Sequence, residues 1–160
     1  MDKIWAPWRV KYVRSKKMQG CVFCKSLRKR RNNLIIFKSR HSFAMLNLYP
    51  YNNGHILVSP RRHVKSIESL TDAEALDLIN CLKRAKRMLD KELNPQGYNI
   101  GINISGAAGA GITGHLHLHI VPRWQGDTNF MPVLTSTKVI SQSLYELRRR
   151  LKRYVKSERD

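Results

Sequence analysis

The chain has 160 residues, and its 30 Lys and Arg against 11 Asp and Glu give a formal net charge of +19. Hydrophobic residues make up 42% and charged residues 26%, which argues against general disorder. No apolar run approaches the roughly 18–20 residues of a membrane span, and residues 1–5 lack the apolar stretch of a signal peptide. We therefore expect one cytoplasmic domain over residues 1–160, whose positive field attracts polyanions such as nucleotides or nucleic acid.

The first half of the chain predicts an arm followed by short strands. Residues 1–20 are aromatic and basic and are expected to form an N-terminal arm, after which Cys21–Cys24 opens a short basic stretch. Strands are predicted at residues 34–37, 43–48 and 55–59, where apolar runs are separated by turns rich in Asn and Gly.

The second half predicts two helices and two further strands. Thr71 and Glu74 have the spacing of a capping box, and the helix that they begin is expected to end at Asn94-Pro95. A strand is predicted over residues 97–104, a histidine-containing strand follows, and an amphipathic helix is predicted over residues 137–157. This order predicts an α+β fold with a mostly antiparallel sheet and two main helices.

Three histidines alternate with apolar residues in the last predicted strand: His115, His117 and His119. Alternation places the imidazoles on one face of the strand and the apolar side chains in the core. Side chains two residues apart are separated by roughly 6.5–7 Å, so the three rings do not readily converge on one metal ion. The preceding residues, 105–114, carry almost no side-chain bulk, so their backbone N–H groups can approach an anion closely. Together these features favour phosphate chemistry on a nucleotide over a merely polar strand face.

His117 is the candidate nucleophile of such a reaction. A neutral imidazole nitrogen can attack phosphorus when the other ring nitrogen is held as a hydrogen-bond donor. His119 is the candidate donor to a phosphate oxygen. The backbone N–H groups of residues 109–114 are expected to stabilise the negative charge that develops in the transition state.

Residues 115–123 resemble the signature of the histidine triad family, in which the middle histidine forms a covalent nucleotidyl intermediate. The resemblance extends upstream over residues 43–50 and 54–63, while residues 5–9 and 124–133 resemble the microbial diadenosine tetraphosphate phosphorylase branch of that family. The resemblance implies a histidine-triad-like fold and a homodimer formed by joining two sheets. It also implies cleavage of a dinucleoside polyphosphate, or of another AMP derivative, through AMP bound to His117.

The resemblance further implies which residues bind the substrate. Asn47 would hold the ribose hydroxyls, Leu48 would pack near the base, and His55 would be a further active-site histidine. Asn103 would line the phosphate site together with the loop residues Ala110, Gly111 and Ile112. Trp124 is expected to close the nucleotide pocket. Many relatives have Asp in place of Asn47 and a Gln with a hydroxyl residue in the loop, so backbone donors are expected to be the main phosphate ligands here.

The pair Cys21 and Cys24 has a spacing that suits tetrahedral zinc, and the same spacing is compatible with redox chemistry or simple packing. The resemblance to family members with an early Cys-x-x-Cys implies that His63 and His115 complete the ligand set. Four protein ligands leave no open position, so this zinc would be structural and would exempt His115 from catalysis.

Two other functions remain open on the sequence. A protein that processes adenylated nucleic-acid ends would use the same histidine, and the basic residues of the two main helices would then contact nucleic acid. A charge run on a helix is, however, usually a solvated face. A non-catalytic nucleotide sensor would bind the nucleotide without turning it over.

Overall fold

The computed structural model describes residues 20–29, 33–127, 140 and 142–157. Its five strands form one antiparallel sheet in the order β1-β2-β3-β5-β4. The strands are β1 (Ile35–Lys38), β2 (Ser42–Leu46), β3 (Ile56–Pro60), β4 (Gly97–Ile102) and β5 (Leu118–Arg123). The helices are α1 (Val22–Arg28), α2 (Asp72–Leu93) and α3 (Leu144–Ser157). The predicted α+β fold with a mostly antiparallel sheet is confirmed.

Local sequence signals fix the ends of α2. The side chain of Thr71 accepts a hydrogen bond from the backbone N–H of Glu74, and the Glu74 carboxylate accepts one from the backbone N–H of Thr71. These two bonds satisfy N–H groups that a helix start leaves without an intrahelical partner. The helix ends at Asn94, which adopts a left-handed conformation with φ of 44°. The predicted capping box is confirmed.

The sheet separates the two long helices, α2 and α3, from the histidines. Leu118 and Ile120 of β5 are buried in the core that α2 covers, whereas His119 alternates with them and lies on the opposite face. Helix α3 packs on β1 and on α2, so both long helices occupy the same layer. None of the described helices has the length and the apolar character that crossing a membrane requires.

The predicted strands shift by one or two residues at their ends; β2 ends at Leu46 rather than at residue 48, and β4 ends at Ile102 rather than at residue 104. Three larger differences concern α1, α3 and the histidine strand. Helix α1, which was not predicted, begins directly after Cys21. Helix α3 begins at Leu144 rather than at residue 137, because Ile140, Gln142 and Ser143 lie outside it; residues 137–139 and 141 are outside the described residues. The predicted N-terminal arm lies outside them too, except for residue 20.

The third difference concerns the histidine strand, because β5 begins only at Leu118. The backbone N–H of Leu116 donates to the carbonyl of Val64, and the His115 ring donates to the carbonyl of Pro60. These bonds draw residues 115–116 toward the segment that follows β3 and away from regular strand pairing. His115 and His117 therefore precede the strand that carries His119.

Candidate active site and metal centre

The hydrogen bonds of His117 leave one ring nitrogen available for attack. His117 is buried, and its Nδ1 lies 2.8 Å from the backbone carbonyl oxygen of His115. A carbonyl only accepts, so Nδ1 carries the proton and Nε2 keeps its lone pair. Burial lowers the pKa of His117, and the His115 carbonyl opposes that shift by favouring the protonated ring. This is the tautomer that a nucleophilic imidazole needs.

A chain of hydrogen bonds fixes the tautomers of His55 and His119. The backbone N–H of Tyr51 donates to His55 Nδ1 at 3.0 Å, so the proton of neutral His55 is on Nε2. His55 Nε2 lies 2.9 Å from His119 Nδ1 and donates to it. The proton of His119 is therefore on Nε2, a buried atom without a hydrogen-bond partner among the described residues. A buried N–H of this kind is suited to donate to a ligand oxygen.

All three rings are close together and neutral. The ring centroids of His117 and His119 are 5.0 Å apart, and those of His119 and His55 are 5.1 Å apart. Burial, reinforced by His119 and His117, lowers the pKa of His55 to about 3. Burial and His117 lower the pKa of His119 to about 4. At neutral pH the site therefore offers one lone pair and one N–H donor side by side, without a positive ring charge.

The loop between β4 and β5 leads directly into the histidine segment and presents backbone donors. The N–H groups of Gly109 and Ala110 bond within the loop, to Gly106 and Ser105 respectively. Among the described residues, the N–H groups of residues 111–114 donate no backbone hydrogen bond, which leaves them available to an anion. Ser105 holds a φ of 68° and a ψ of 169°, a conformation that is essentially restricted to glycine.

The other predicted substrate-binding residues surround this site in different ways. Asn47 directly follows β2; its Oδ1 accepts from the backbone N–H of Tyr49, and its Nδ2 lies 3.2 Å from His55 Nδ1. Leu48 follows it and is 42% exposed, as an apolar contact surface for a ligand requires. Asn103 lies beside the loop, with its Nδ2 3.6 Å from the position of a Cβ on Gly109. The roles assigned to these residues stay predictions.

Two further predicted residues, Ile112 and Trp124, are both half-buried. Ile112 is half-buried and packs against the core, so its side chain anchors the loop. Trp124 is half-buried directly after β5, and its backbone N–H donates to the carboxylate of Asp127. Asp127 also accepts from Arg123 and Asn52, so the turn that carries Trp124 is tied both to β5 and to the β2–β3 connection.

The four predicted metal ligands form one cluster. One ligand atom from each of Cys21, Cys24, His63 and His115 lies within 4.8 Å of the others. His115 Nδ1 is 3.2 Å from both Cys21 Sγ and His63 Nδ1, and Cys24 Sγ is 3.4 Å from His63 Nδ1. Bond lengths typical of zinc predict edges of about 3.3–3.8 Å for a tetrahedral Cys₂His₂ site.

The tautomer of His115 also fits a metal ion. Its Nε2 lies 2.9 Å from the carbonyl oxygen of Pro60 and donates to it, so Nδ1 is unprotonated and directed at the cluster. Two nitrogen atoms and two sulfur atoms thus converge where a cation would balance thiolate charge. The cluster can hold a metal ion. His115 thus lies in this cluster, whereas His117 and His119 lie together in the neighbouring histidine site.

Sequence reasoning missed two residues that contact the histidines. Phe23, between the two cysteines, is fully buried with its ring centroid 5.0 Å from those of both His115 and His117. Tyr51 stacks on His119 and tilts against His55. Phe23 reads as a core residue in the sequence, and Tyr51 reads as a turn residue. For Tyr51 the available signal was its position four residues before His55; Phe23 carried no such signal.

Comparison with known protein families places this chain in one of them. The HIT domain family matches residues 28–126, well over half of the chain, and the chain therefore belongs to that family.

Two proteins similar in sequence and one similar solved structure show what this chain resembles. A protein named AP-4-A phosphorylase from Mycobacterium tuberculosis is 42% identical over 118 residues, which cover 74% of this chain and 60% of that protein. The bis(5'-nucleosyl)-tetraphosphatase (asymmetrical) of Schizosaccharomyces pombe is 33% identical over 93 residues, or 58% of this chain and 50% of that protein. This chain thus spans only half to three-fifths of these two relatives. The crystal structure of a Zn-bound histidine triad family protein from Mycobacterium smegmatis superposes with a TM-score of 0.69 at 25% identity, covering 86% of this chain and 94% of that one.

Proposed function

We propose that this protein is a nucleotidyl hydrolase or transferase that cleaves dinucleoside polyphosphates through an AMP–histidine intermediate on His117. The observation that carries the proposal is that two neighbouring histidines have complementary tautomers. His117 presents a lone pair on Nε2, and the neighbouring His119 presents an unpartnered N–H. A phosphoryl group between them would meet a nucleophile and a donor at once.

The first step follows from these two groups. His117 Nε2 forms a bond to the α-phosphorus, and the bond from that phosphorus to the bridging oxygen breaks. The electron pair of this bond leaves with the remaining nucleoside polyphosphate. The Nε2–H of His119 and the backbone donors of residues 111–114 stabilise the charge on the phosphoryl oxygens, and the His115 carbonyl stabilises the proton on His117 Nδ1.

The second step releases AMP from the enzyme to an acceptor. Inorganic phosphate as the acceptor gives ADP, whereas water gives AMP; in both cases the P–N bond breaks and His117 regains its lone pair. The name of the mycobacterial relative supports phosphate, and that of the fission-yeast relative supports hydrolysis. The higher identity and coverage of the mycobacterial protein favour phosphate as the acceptor.

The test is incubation with diadenosine tetraphosphate in the presence and absence of phosphate, with separation of the products. We expect ADP and ATP in a phosphate-dependent reaction. His117→Gly is expected to give neither product while its nucleotide affinity stays largely intact. AMP and ATP without phosphate dependence would assign the protein as a hydrolase. No turnover of any dinucleoside polyphosphate would contradict the proposal, and binding without turnover would favour a nucleotide sensor.

Processing of adenylated nucleic-acid ends is less well supported. Exposed basic residues on the two long helices include Lys83 and Arg87 of α2 and Arg149 and Arg153 of α3. This helix layer lies on the face of the sheet opposite His119, so these residues do not lead a nucleic-acid end to His117. Release of AMP from adenylated DNA, without turnover of diadenosine tetraphosphate, would make nucleic-acid end processing the better supported function.

The proposed metal of the Cys–His cluster is structural zinc. Four protein ligands, the fit of the interatomic distances and the Zn-bound mycobacterial neighbour support this assignment. We expect about one zinc per chain by elemental analysis, and loss of most of it in Cys21→Ser. The matched control is Cys81→Ser, since Cys81 is buried in α2 and is not part of the cluster. Full metal content in Cys21→Ser would contradict the assignment.

The proposed assembly is a homodimer joined through β4. Among the described strands β4 is at the edge of the sheet, and its Ile100 is 47% exposed. An exposed apolar edge strand is suited to pair with a second copy. We expect a dimer by sedimentation analysis and a shift toward monomer in Ile100→Lys; a monomeric wild-type protein would contradict this assembly.

A further inference from the structure

Tyr51, in the connection between β2 and β3, contacts both histidines of the His55–His119 pair. Its backbone N–H donates to His55 Nδ1, and its ring centroid lies 4.6 Å from that of His55. The same ring is parallel to the His119 ring, with 3° between the planes and 5.7 Å between the centroids. Tyr51 therefore keeps His55 Nδ1 as a hydrogen-bond acceptor through its backbone N–H, and it covers the His119 ring with its side chain.

His119 depends on such support because its polar anchoring is slight. Among the described residues its ring forms one hydrogen bond, which Nδ1 accepts from His55, and its Nε2 forms none. Rotation of the ring by half a turn about the Cβ–Cγ bond exchanges nitrogen and carbon positions. A flipped ring would lose the bond to His55 and direct its N–H away from the phosphate.

Charge does not hold this ring in place. The pKa of His119 is lowered to about 4 by burial and that of His55 to about 3, so both rings are neutral at neutral pH. Ring orientation and tautomer alone then decide which atom of His119 donates. Water that reaches His119 Nδ1 would compete with His55 for it and weaken the preference for one tautomer.

We propose that the aromatic ring of Tyr51 is a positioning element that holds His119 as an Nε2–H donor, by stacking on its ring and by keeping water from the His55–His119 hydrogen bond. The proposal rests on the function proposed above, because it assigns a task to the donor of that reaction. The task belongs to the ring of Tyr51 rather than to its hydroxyl. The side chain is 53% exposed, and the hydroxyl forms no hydrogen bond with the part of the chain that the structure describes.

The experiment compares Tyr51→Leu and Tyr51→Phe with the wild-type protein. An exposed ring contributes little to the core, so both variants are expected to fold. Loss of an aromatic pair corresponds to about a 3- to 10-fold effect. We therefore expect kcat for diadenosine tetraphosphate to fall about 3- to 10-fold in Tyr51→Leu, with KM within about twofold of wild type. Tyr51→Phe should restore kcat. The matched control is Tyr145→Leu, on α3 and 61% exposed, which should leave kcat unchanged.

A second readout does not require activity. Nitrogen-15 NMR of the histidine rings should show a single Nε2–H tautomer for His119 in the wild-type protein and in Tyr51→Phe, and a mixture of tautomers in Tyr51→Leu. An unchanged tautomer in Tyr51→Leu would overturn the proposal. Equal loss of kcat in Tyr51→Phe would also overturn it, because that result assigns the role to the hydroxyl. A rise in KM at constant kcat would overturn it as well, since the ring would then be a simple binding contact.

These outcomes separate this inference from the proposed function. If no dinucleoside polyphosphate is turned over, the proposed function fails, and the NMR comparison still decides whether Tyr51 sets the tautomer of His119. If turnover occurs but the tautomer is insensitive to Tyr51, only the positioning role is lost.

Discussion

Replacement of Gly54 by alanine should destabilise the protein well beyond the cost of its backbone conformation. Gly54 immediately precedes His55 and has a φ of 77°, in the left-handed region. A Cβ built there would lie 2.5 Å from Leu93 Cδ1, 3.1 Å from Pro122 Cγ and 3.2 Å from Leu89 Cδ2. These atoms belong to α2 and β5, so the turn before His55 sits directly against both elements.

Two contributions set the expected destabilisation of Gly54→Ala. A non-glycine residue in the left-handed region costs about 1–2 kcal/mol. Forcing an extra methyl group into packed surroundings costs about 1–3 kcal/mol, toward the lower end when a leucine methyl can move aside. Gly54→Ala should therefore lower the free energy of unfolding by about 2–4 kcal/mol.

Gly126 provides a matched control, because its φ is 74° and no atom of the described residues lies within 4 Å of a Cβ built on it. Gly126→Ala should thus cost only the backbone contribution, about 1–2 kcal/mol. The assay is urea denaturation of both variants at one fixed zinc concentration, with the slope m compared to confirm a common transition. Equal destabilisation of Gly54→Ala and Gly126→Ala would refute the packing argument.

Three other predictions concern the strained backbone of Ser105, the ion-paired carboxylate of Asp127 and the protonation of His55 and His119. Ser105→Gly should raise the free energy of unfolding by about 1–2 kcal/mol in the same urea assay, because it relieves a backbone conformation that disfavours side chains; an unchanged midpoint would contradict the strain. Asp127→Asn should lower the free energy of unfolding by about 1–3 kcal/mol, because the Asp127 carboxylate is buried and accepts several hydrogen bonds. Asp90→Asn should lower it by less than about 1 kcal/mol, because the Lys86–Asp90 ion pair is half-exposed. Equal destabilisation by the two substitutions would contradict this reasoning. In an NMR titration His55 and His119 should stay neutral until the pH approaches their pKa values of about 3 and 4, and a midpoint near 6.5 for either ring would contradict their burial. Since these pKa values lie below the unfolded value, the native state binds fewer protons, and stability is expected to fall as the pH drops below about 6.5.

Features encoded in neighbouring residues could be predicted from the sequence. Thr71 and Glu74 are three residues apart, so the start of α2 depends on one turn of chain. The alternation of His117 and His119 with apolar residues was equally local, and both rings reach the same site. The α+β class and the mostly antiparallel sheet follow from such local patterns combined.

Features that depend on distant segments could not be predicted. Helix α1 is a short helix whose Phe23 packs on rings that are more than 90 residues away in the chain. The register of residues 115–116 depends on carbonyl groups of Pro60 and Val64, and no periodicity in the histidine segment reports them. The contact between His55 and His119 likewise arises only when β3 pairs with β5.

The most direct test of the central claim is to trap the protein during turnover. Diadenosine tetraphosphate labelled at the α-phosphorus is mixed with the protein in the absence of phosphate and quenched in base, which preserves a P–N bond. Peptide mass spectrometry then locates the label. We predict adenylate on Nε2 of His117 and none in His117→Gly. Turnover without any labelled histidine, or label on His55 or His119 instead, would contradict the account.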